Sequence, residues 1–347
     1  MKHLLFIFLL LLGINCSFAQ STITHVNQIN LSKVPAGTIQ KYWLDLLDNA
    51  FGQPISIPVI IAKGNTDGPV LGLTAAIHGD ELNGIPIIQQ VFQTINPKQL
   101  QGTIIGIPGL NALGFQLNQR DYIDDVDLNR IFPGSPIGDV SQQYAWQLSQ
   151  KVLPLFDFLV DMHTASFGNL NTFYVRADWK NDTLRQMALL QGTDIAVDNP
   201  GIPSAGASAS AKTMRAEAVL MGIPTITVEY GNPQVYQSDM IERGIKGILN
   251  LVDWLGMQRF STSKVAKQPV LCKKSYWIYT DAGGLLDVHV ELNDMVEKGA
   301  LIATLKNPFG DVVQQYVAPE RGIVIGKSAN PVAMSGGRII HLGVLAN

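Results

Sequence analysis

Three apolar, strand-like stretches of this 347-residue chain each lead into side chains that bind metals or move protons. They are residues 70–77, which lead into His78 and Glu81; residues 156–160, which lead into His163; and residues 223–228, which lead into Glu229. In an open α/β sheet, ligands bind beyond the carboxyl ends of the strands. The pattern therefore predicts an α/β fold in which these side chains converge on one crevice.

The alternation of predicted elements supports this fold class. Strand-like stretches at 55–62, 70–77 and 103–107 alternate with the helical patterns of residues 82–95 and 141–153. The second stretch is apolar on both faces, as strands covered by helices are. We therefore predict a mixed β-sheet flanked by helices, within a catalytic domain of residues 20–260.

The character of the chain changes after a polar, linker-like segment at residues 261–268. Short strand patterns separated by turns follow, so a small C-terminal β-domain is predicted over residues 269–347. Its hairpin pattern resembles the lipoyl/biotinyl-type β-module. Because the expected modification hairpin has no lysine, we predict an accessory domain without a cofactor of its own.

The first 19 residues have the pattern of a secretory signal peptide. Lys2 precedes an apolar stretch at 4–12, and the small residues Ser17 and Ala19 follow. The apolar stretch is too short to span a bilayer as a helix. We predict cleavage near Ala19 and an exported protein, periplasmic or secreted, without a transmembrane anchor. Cys16 raises the alternative of a lipoprotein.

Composition limits the partners. The formal net charge is −3 and no basic cluster is present, so neither nucleic acid nor an anionic membrane is a predicted partner. Removal of the signal peptide leaves Cys272 as the single cysteine, so no intrachain disulfide is expected. Homo-oligomerisation stays open.

A metal site is the strongest chemical prediction. His78 and Glu81 are three residues apart at a strand-to-helix junction, where both side chains can reach one ion, and His163 follows a second strand. Catalytic zinc takes three protein ligands of this type and keeps an open position, so one Zn²⁺ per chain is predicted. Asp161 lies on the same strand face as His163 and is a candidate partner for its ring. The remaining histidines, His341 among them, lack an acidic neighbour in such a context.

Glu229 is the candidate general base. A carboxylate at the end of a β-branched strand is costly unless it is paired or functional. As a base, Glu229 would accept a proton from the attacking water and pass it to the leaving nitrogen. The alternative is a structural glutamate that caps a neighbouring helix.

A charged loop lies between the predicted metal ligands. It contains Arg120, Asn129 and Arg130, and arginine suits the bidentate recognition of carboxylates and the stabilisation of an oxyanion. The loop therefore indicates substrate binding. Without the metal ligands it would be interpreted as a charged surface loop.

The order of these motifs resembles the succinylglutamate desuccinylase/aspartoacylase family, which has the zinc carboxypeptidase-like fold. The motifs are H-x-x-E, R…D-x-D-L-N-R-x-F-P-G, D-x-H and T-V-E-x-G, over about residues 55–255. The resemblance implies these roles: zinc ligands His78, Glu81 and His163; general base Glu229; carbonyl polarisation by Arg120; and substrate binding by Asn129, Arg130 and, at a spacing different from that of aspartoacylase, Arg215.

The resemblance implies a zinc-dependent deacylase that cleaves the C–N amide bond of an N-acyl amino acid or a related carboxylate-bearing amide. An exported zinc carboxypeptidase acting on short peptides or cell-wall fragments is the first alternative. An inactive, zinc-bearing ligand-binding protein is the second. The signal peptide departs from the cytosolic enzymes that give the family its name, so neither of their substrates is assigned from it.

Overall fold

A computed structural model describes residues 23–201, 212–260 and 268–346. The predicted signal peptide with Cys16 lies outside these ranges, as do residues 261–267 of the predicted linker. None of the helices in the described ranges has the length and apolar character needed to cross a membrane.

The strands and helices of the described ranges follow in chain order. The strands are β1 (Thr24–Val26), β2 (Thr38–Asp48), β3 (Pro54–Lys63), β4 (Thr66–Ala75), β5 (Gln101–Ile107), β6 (Phe158–His163), β7 (Asn169–Asn171), β8 (Phe173–Ala177), β9 (Ile195–Asp198), β10 (Thr225–Tyr230), β11 (Val270–Tyr279), β12 (Gly284–Val288), β13 (Met295–Val296), β14 (Leu301–Lys306), β15 (Val312–Val317), β16 (Gly322–Ser328), β17 (Val332–Ala333) and β18 (Arg338–Leu345). The α-helices are α1 (Gly84–Thr94), α2 (Ala112–Leu117), α3 (Val140–Lys151), α4 (Asp182–Leu190), α5 (Met214–Leu220) and α6 (Ser238–Trp254).

Fourteen strands of the described ranges form one mixed sheet. The order along it is β1-β2-β3-β5-β4-β6-β10-β8-β9-β11-β18-β16-β13, with β7 paired to β16. At its centre β4 pairs in parallel with β5 and β6, and β6 pairs in parallel with β10. The carboxyl ends of β4, β6 and β10 therefore lie at the same edge.

Helices cover both faces of this sheet. Apolar side chains of α1 and α6, such as Ile88 and Ile248, share one buried cluster with β4, β6 and β10. Tyr144 and Leu148 of α3 and Met214 of α5 belong to a cluster on the other face. Each fully buried aliphatic side chain contributes about 1.5–3 kcal/mol relative to exposure, so the two clusters fix the sheet between its helices. The predicted mixed α/β fold with flanking helices is confirmed.

The C-terminal strands divide between two sheets. β11 pairs in parallel with β9 and antiparallel with β18, which continues the large sheet. β15, β14, β12 and β17 form a separate four-stranded sheet. The residues after 268 therefore both extend the main sheet and add a small second one.

Candidate active site

Three neighbouring strands bring the predicted metal ligands and base together. His163 is the last residue of β6, and Glu229 on β10 lies opposite it in the parallel register. β4 is the neighbour of β6 on its other side. The last residue of β4, Ala75, lies opposite Met162 of β6, and His78 follows Ala75 by three residues. The shared strand direction therefore places all these side chains at one edge of the sheet.

The turn after β4 has a constrained backbone. Ala76 adopts a φ of 56°, which is uncommon for a residue with a Cβ and bends the chain sharply as it leaves the strand. Gly79 packs against the main chain of Gly114 in α2 so closely that a side chain there would overlap it. This close approach fixes the segment that carries His78 and Glu81.

His78, Glu81 and His163 form a buried cluster. One ligand atom from each lies within 4.8 Å of the others, and the three residues are 2–5% exposed. Glu81 lies between the two rings: its Oε1 is 2.8 Å from Nδ1 of His78, and its Oε2 is 2.8 Å from Nδ1 of His163. Two imidazole nitrogens and one carboxylate thus point toward one small volume.

The outer ring nitrogens are held by carboxylates. Nε2 of His78 lies 3.2 Å from Oδ1 of Asp127, and Nε2 of His163 lies 2.9 Å from Oδ2 of Asp161. Asp161 also accepts a 3.0 Å hydrogen bond from Thr74, its register partner on β4. Such carboxylate partners orient metal-binding imidazoles and raise their basicity.

The cluster fits a divalent metal ion. Nδ1 of His78 is buried and has no hydrogen-bond partner, because Glu81 lies within 2.8 Å but outside hydrogen-bonding geometry. A buried, unpaired nitrogen is costly, and a metal would satisfy it. Two nitrogens and one carboxylate oxygen are a donor set that zinc uses in catalytic sites.

Glu81 is held in its ionised form. Burial favours the neutral acid, but the neighbouring His78 and His163 lower the pKa of the Glu81 carboxyl far below its ordinary value. The cluster therefore offers a metal one anionic oxygen.

Glu229 lies beside the cluster without being part of it. Its Oε2 accepts a 3.2 Å hydrogen bond from Nδ2 of Asn171, and its Oε1 is 4.0 Å from Nε of Arg176. Burial raises the pKa of Glu229 above its ordinary value, and nearby Glu81 adds to this, while His163 and Arg176 oppose it. A carboxylate with a raised pKa in a buried cleft suits proton transfer.

Arg120 reaches the cluster from its loop. Its guanidinium contacts Oε1 of Glu81 at 3.0 Å, Oγ of Ser166 at 2.7 Å and Oδ2 of Asp127 at 2.9 Å. These bonds hold a positive charge next to the Glu81 carboxylate, which is predicted to bind the metal. A carbonyl oxygen bound there would meet a fixed cation.

The three predicted substrate-binding residues differ in how many of their side-chain polar atoms already bind other parts of the protein. The amide oxygen of Asn129 accepts a 2.7 Å bond from the main chain of Met214 at the start of α5, which leaves its amide nitrogen for a ligand. The Arg130 side chain is 56% exposed. Arg215 donates to the main-chain oxygens of Arg176 and Asn199, so much of its guanidinium already serves to link α5 to β8 and the segment after β9.

One cavity of about 570 Å³ joins all eight predicted site residues. Its volume is in the range of small-molecule sites. The structure thus brings His78, Glu81, Arg120, Asn129, Arg130, His163, Arg215 and Glu229 together at a single space.

The cavity also contains residues that the sequence analysis did not select. They are Asn171, Tyr174 and Arg176 from β7 and β8, and Trp277, Arg338 and His341 from β11 and β18. Tyr174 lies opposite Glu229 because β8 runs antiparallel to β10. The local sequence around Tyr174 gives no indication of this pairing. His341, set aside for lack of an acidic neighbour, is 3% exposed and lines the cavity.

Comparison with known proteins identifies a family model and a related enzyme that match most of this chain. Residues 67–255 match the model of the succinylglutamate desuccinylase/aspartoacylase catalytic domain. The N-alpha-acetyl-L-2,4-diaminobutyric acid deacetylase of Halomonas elongata is 25% identical over 309 residues, which cover 84% of this chain and 86% of that protein.

Solved structures share the fold. The product-bound ectoine utilization protein EutE (DoeB) of Ruegeria pomeroyi superimposes with a TM-score of 0.79 at 23% identity, covering 90% of this chain and 97% of that one. A succinylglutamate desuccinylase/aspartoacylase structure from Rhodobacter sphaeroides gives a TM-score of 0.80 at 22% identity, with 92% and 98% covered. The similarity extends well beyond the matched catalytic region and includes most of the C-terminal strands.

Proposed function

The chain belongs to the succinylglutamate desuccinylase/aspartoacylase family, and on this premise we propose that it is a zinc-dependent deacylase. It would hydrolyse the C–N amide bond of an N-acyl amino acid or a related carboxylate-bearing amide. The observation that carries the proposal is the buried His78–Glu81–His163 cluster beside Glu229. The deacetylase activity named for the Halomonas elongata relative supports the same reaction class.

His78, Glu81 and His163 would hold one zinc ion. When bound, zinc supplies Lewis acidity and makes water more acidic at its open position. Asp127 and Asp161 would keep the two imidazoles oriented, as their contacts with the outer ring nitrogens indicate.

The other residues would carry out binding and proton transfer. Arg130 and the amide nitrogen of Asn129 would hold the substrate carboxylate, and Arg120 would stabilise negative charge on the amide oxygen. Glu229 would take a proton from the attacking water and give it to the leaving nitrogen. The C–N bond breaks, a C–O bond forms, and one water yields a carboxylic acid and an amine.

The carboxypeptidase alternative predicts a different substrate size. A cavity of about 570 Å³ suits a small amide better than a long peptide. Short peptides with a free C-terminus are therefore the substrates to compare with N-acyl amino acids.

The test measures metal content and turnover in parallel. Protein purified in zinc-containing buffer is expected to carry about one zinc per chain and to release amine from N-acetyl and N-succinyl amino acids. Faster cleavage of dipeptides and tripeptides would favour the carboxypeptidase. Zinc binding without any turnover would identify a ligand-binding protein.

We also propose that the protein is exported, periplasmic or secreted, which rests on the pattern of residues 1–19. The expected mature protein begins near Gln20, because Ser17 and Ala19 form a small-x-small cleavage site. N-terminal sequencing of material from the native host tests this. A chain that begins at Met1, or that carries a lipid on Cys16, would contradict it.

A further inference from the structure

Asn171 is a buried residue of the cavity whose side chain contacts the candidate base. Its Nδ2 donates the 3.2 Å hydrogen bond to Oε2 of Glu229, and the two residues are 7% and 9% exposed. An ionised carboxylate only accepts hydrogen bonds, so the amide nitrogen of Asn171 must face Glu229. The bond therefore fixes the orientation of the Asn171 amide together with that of the carboxylate.

The amide oxygen of Asn171 gains nothing from this orientation. Oδ1 is buried and has no hydrogen-bond partner in the described part of the chain. An unpaired buried acceptor is costly, so each one in a folded protein requires an explanation. The bond to Glu229 supplies it, because the reversed amide would place its oxygen against the carboxylate.

The other polar neighbours of Glu229 hold it less directly. Nε of Arg176 lies 4.0 Å from Oε1, which is beyond hydrogen-bonding distance. The Tyr174 hydroxyl, also a neighbour of Glu229, accepts a 2.7 Å hydrogen bond from Arg176. Asn171 therefore holds one carboxylate oxygen, whereas Arg176 approaches the other without bonding to it.

The main chain around Asn171 is held by the C-terminal strands. β7 pairs with β16, which places Asn171 opposite Gly326, and the N–H of Thr172 donates to the oxygen of Ile325 at 2.9 Å. The N–H of Asn171 itself donates to Oδ1 of Asn232, just after β10, at 3.3 Å. The place of Asn171 thus depends on β16 as well as on the strand that carries Glu229.

Gly326 leaves the space that the Asn171 side chain occupies. A Cβ at Gly326 would lie 2.5 Å from Oδ1 of Asn171 and 2.9 Å from the main-chain oxygen of Leu170. Both distances are too short for a carbon atom, so a larger residue would displace the amide or β7. Gly326 is not one of the residues that line the cavity. A change there therefore reaches Asn171 without touching a substrate.

We propose that Asn171 is a positioning residue that orients the Glu229 carboxylate, and that β16 in turn fixes Asn171. The C-terminal strands would then help to build the active site instead of being only an accessory to it. A base held in one orientation meets the attacking water in the geometry that proton transfer needs. This inference rests on the proposed deacylase function, in which Glu229 moves the proton.

Asn171→Ala should lower kcat by about 10–100-fold and change KM little, because a misplaced base slows the chemical step and not substrate binding. Asn171→Leu keeps a side chain of similar size without the donor and should be equally slow. Zinc content should be unchanged in both, since Asn171 is outside the metal-ligand cluster. Asn250→Ala is the control: the Asn250 amide donates to Leu190 at 3.3 Å, away from the cavity, and full kcat is expected.

A double-mutant cycle shows whether Asn171 acts through Glu229. Added to Glu229→Gln, Asn171→Ala should lower kcat by less than about twofold, because no base is left to position. If the two losses multiply instead, Asn171 contributes independently of Glu229 and the inference is overturned.

Gly326→Ala tests the part played by β16. It should also lower kcat, and it should have no further effect in the Glu229→Gln background. Gly283→Ala is the matched control in the C-terminal part of the chain, because a Cβ at Gly283 would be 3.5 Å from its nearest neighbour, an ordinary contact. Equal kcat values for the two glycine variants would refute the role of β16.

Crystal structures of the variants separate this inference from the deacylase proposal. In Asn171→Ala and Gly326→Ala the Glu229 carboxylate should leave the position that it has in the native protein. A displaced carboxylate in a protein that hydrolyses no N-acyl amino acid would contradict only the deacylase function. A carboxylate that stays in place in both variants would overturn the positioning role, whether or not the protein is active.

Discussion

Glu229→Gln is expected to lower kcat by at least about 100-fold, the lower end of what a positioned acid–base group contributes. The amide is nearly the same size as the carboxylate and can still accept the hydrogen bond from Asn171, so the fold and the cavity should remain. What is lost is the ability to take a proton from water and deliver it to nitrogen. Zinc content should be unchanged, because Glu229 is not one of the three clustered ligands.

Glu242→Gln provides the control for this experiment. Glu242 is an exposed residue of α6 whose partner is Lys246 at 2.7 Å, and such surface pairs contribute little. It should retain full activity. Loss of zinc or of folding in Glu229→Gln would show that Glu229 is structural, as the helix-capping alternative holds.

Arg130→Ala should have a different kinetic effect. Because the Arg130 side chain is largely exposed and is assigned only to a substrate carboxylate, its removal should raise KM more than it lowers kcat. A fall in kcat comparable with that of Glu229→Gln would show instead that Arg130 stabilises the transition state.

His78→Ala and His163→Ala should lose zinc and activity together. Each removes a nitrogen donor of the cluster and leaves Glu81 buried with one imidazole fewer. Replacing a residue that only hydrogen-bonds to a metal ligand typically lowers metal affinity by roughly 10–100-fold. Replacing a ligand itself should lower zinc affinity by more than that. Elemental analysis after dialysis measures the metal. A chelator-induced fall in Tm should occur in the native protein and be absent from both variants.

His289→Ala is the matched histidine control. His289 lies in the C-terminal part of the chain, where its Nε2 is 2.8 Å from Thr304, outside the cavity. It should retain one zinc and full turnover. Full zinc retention in both His78→Ala and His163→Ala would refute the assignment of the ligands.

The sequence by itself determined the fold class and the residues at the strand ends. Apolar segments of strand length must be buried in a folded protein. Because they alternate with helical patterns, a sheet covered by helices is the arrangement that buries them. Parallel strands present their carboxyl ends at one edge, so His163 and Glu229, which share a register position, could be grouped before any coordinates. Strand alternation likewise placed Asp161 beside His163.

Only the tertiary structure decided which other groups share the cavity. Tyr174 meets Glu229 through an antiparallel register, and Trp277 and His341 arrive from strands far along the chain. Such pairings depend on how whole strands and helices pack against one another. The sequence close to each of these residues therefore does not predict which distant residues share its cavity. The same holds for the surroundings of Arg215: the family resemblance implied substrate contact, and the structure adds that its guanidinium donates to two main-chain oxygens while it lines the cavity. Local periodicity thus fixes strands and their ends, whereas the composition of a cavity follows from contacts between distant segments.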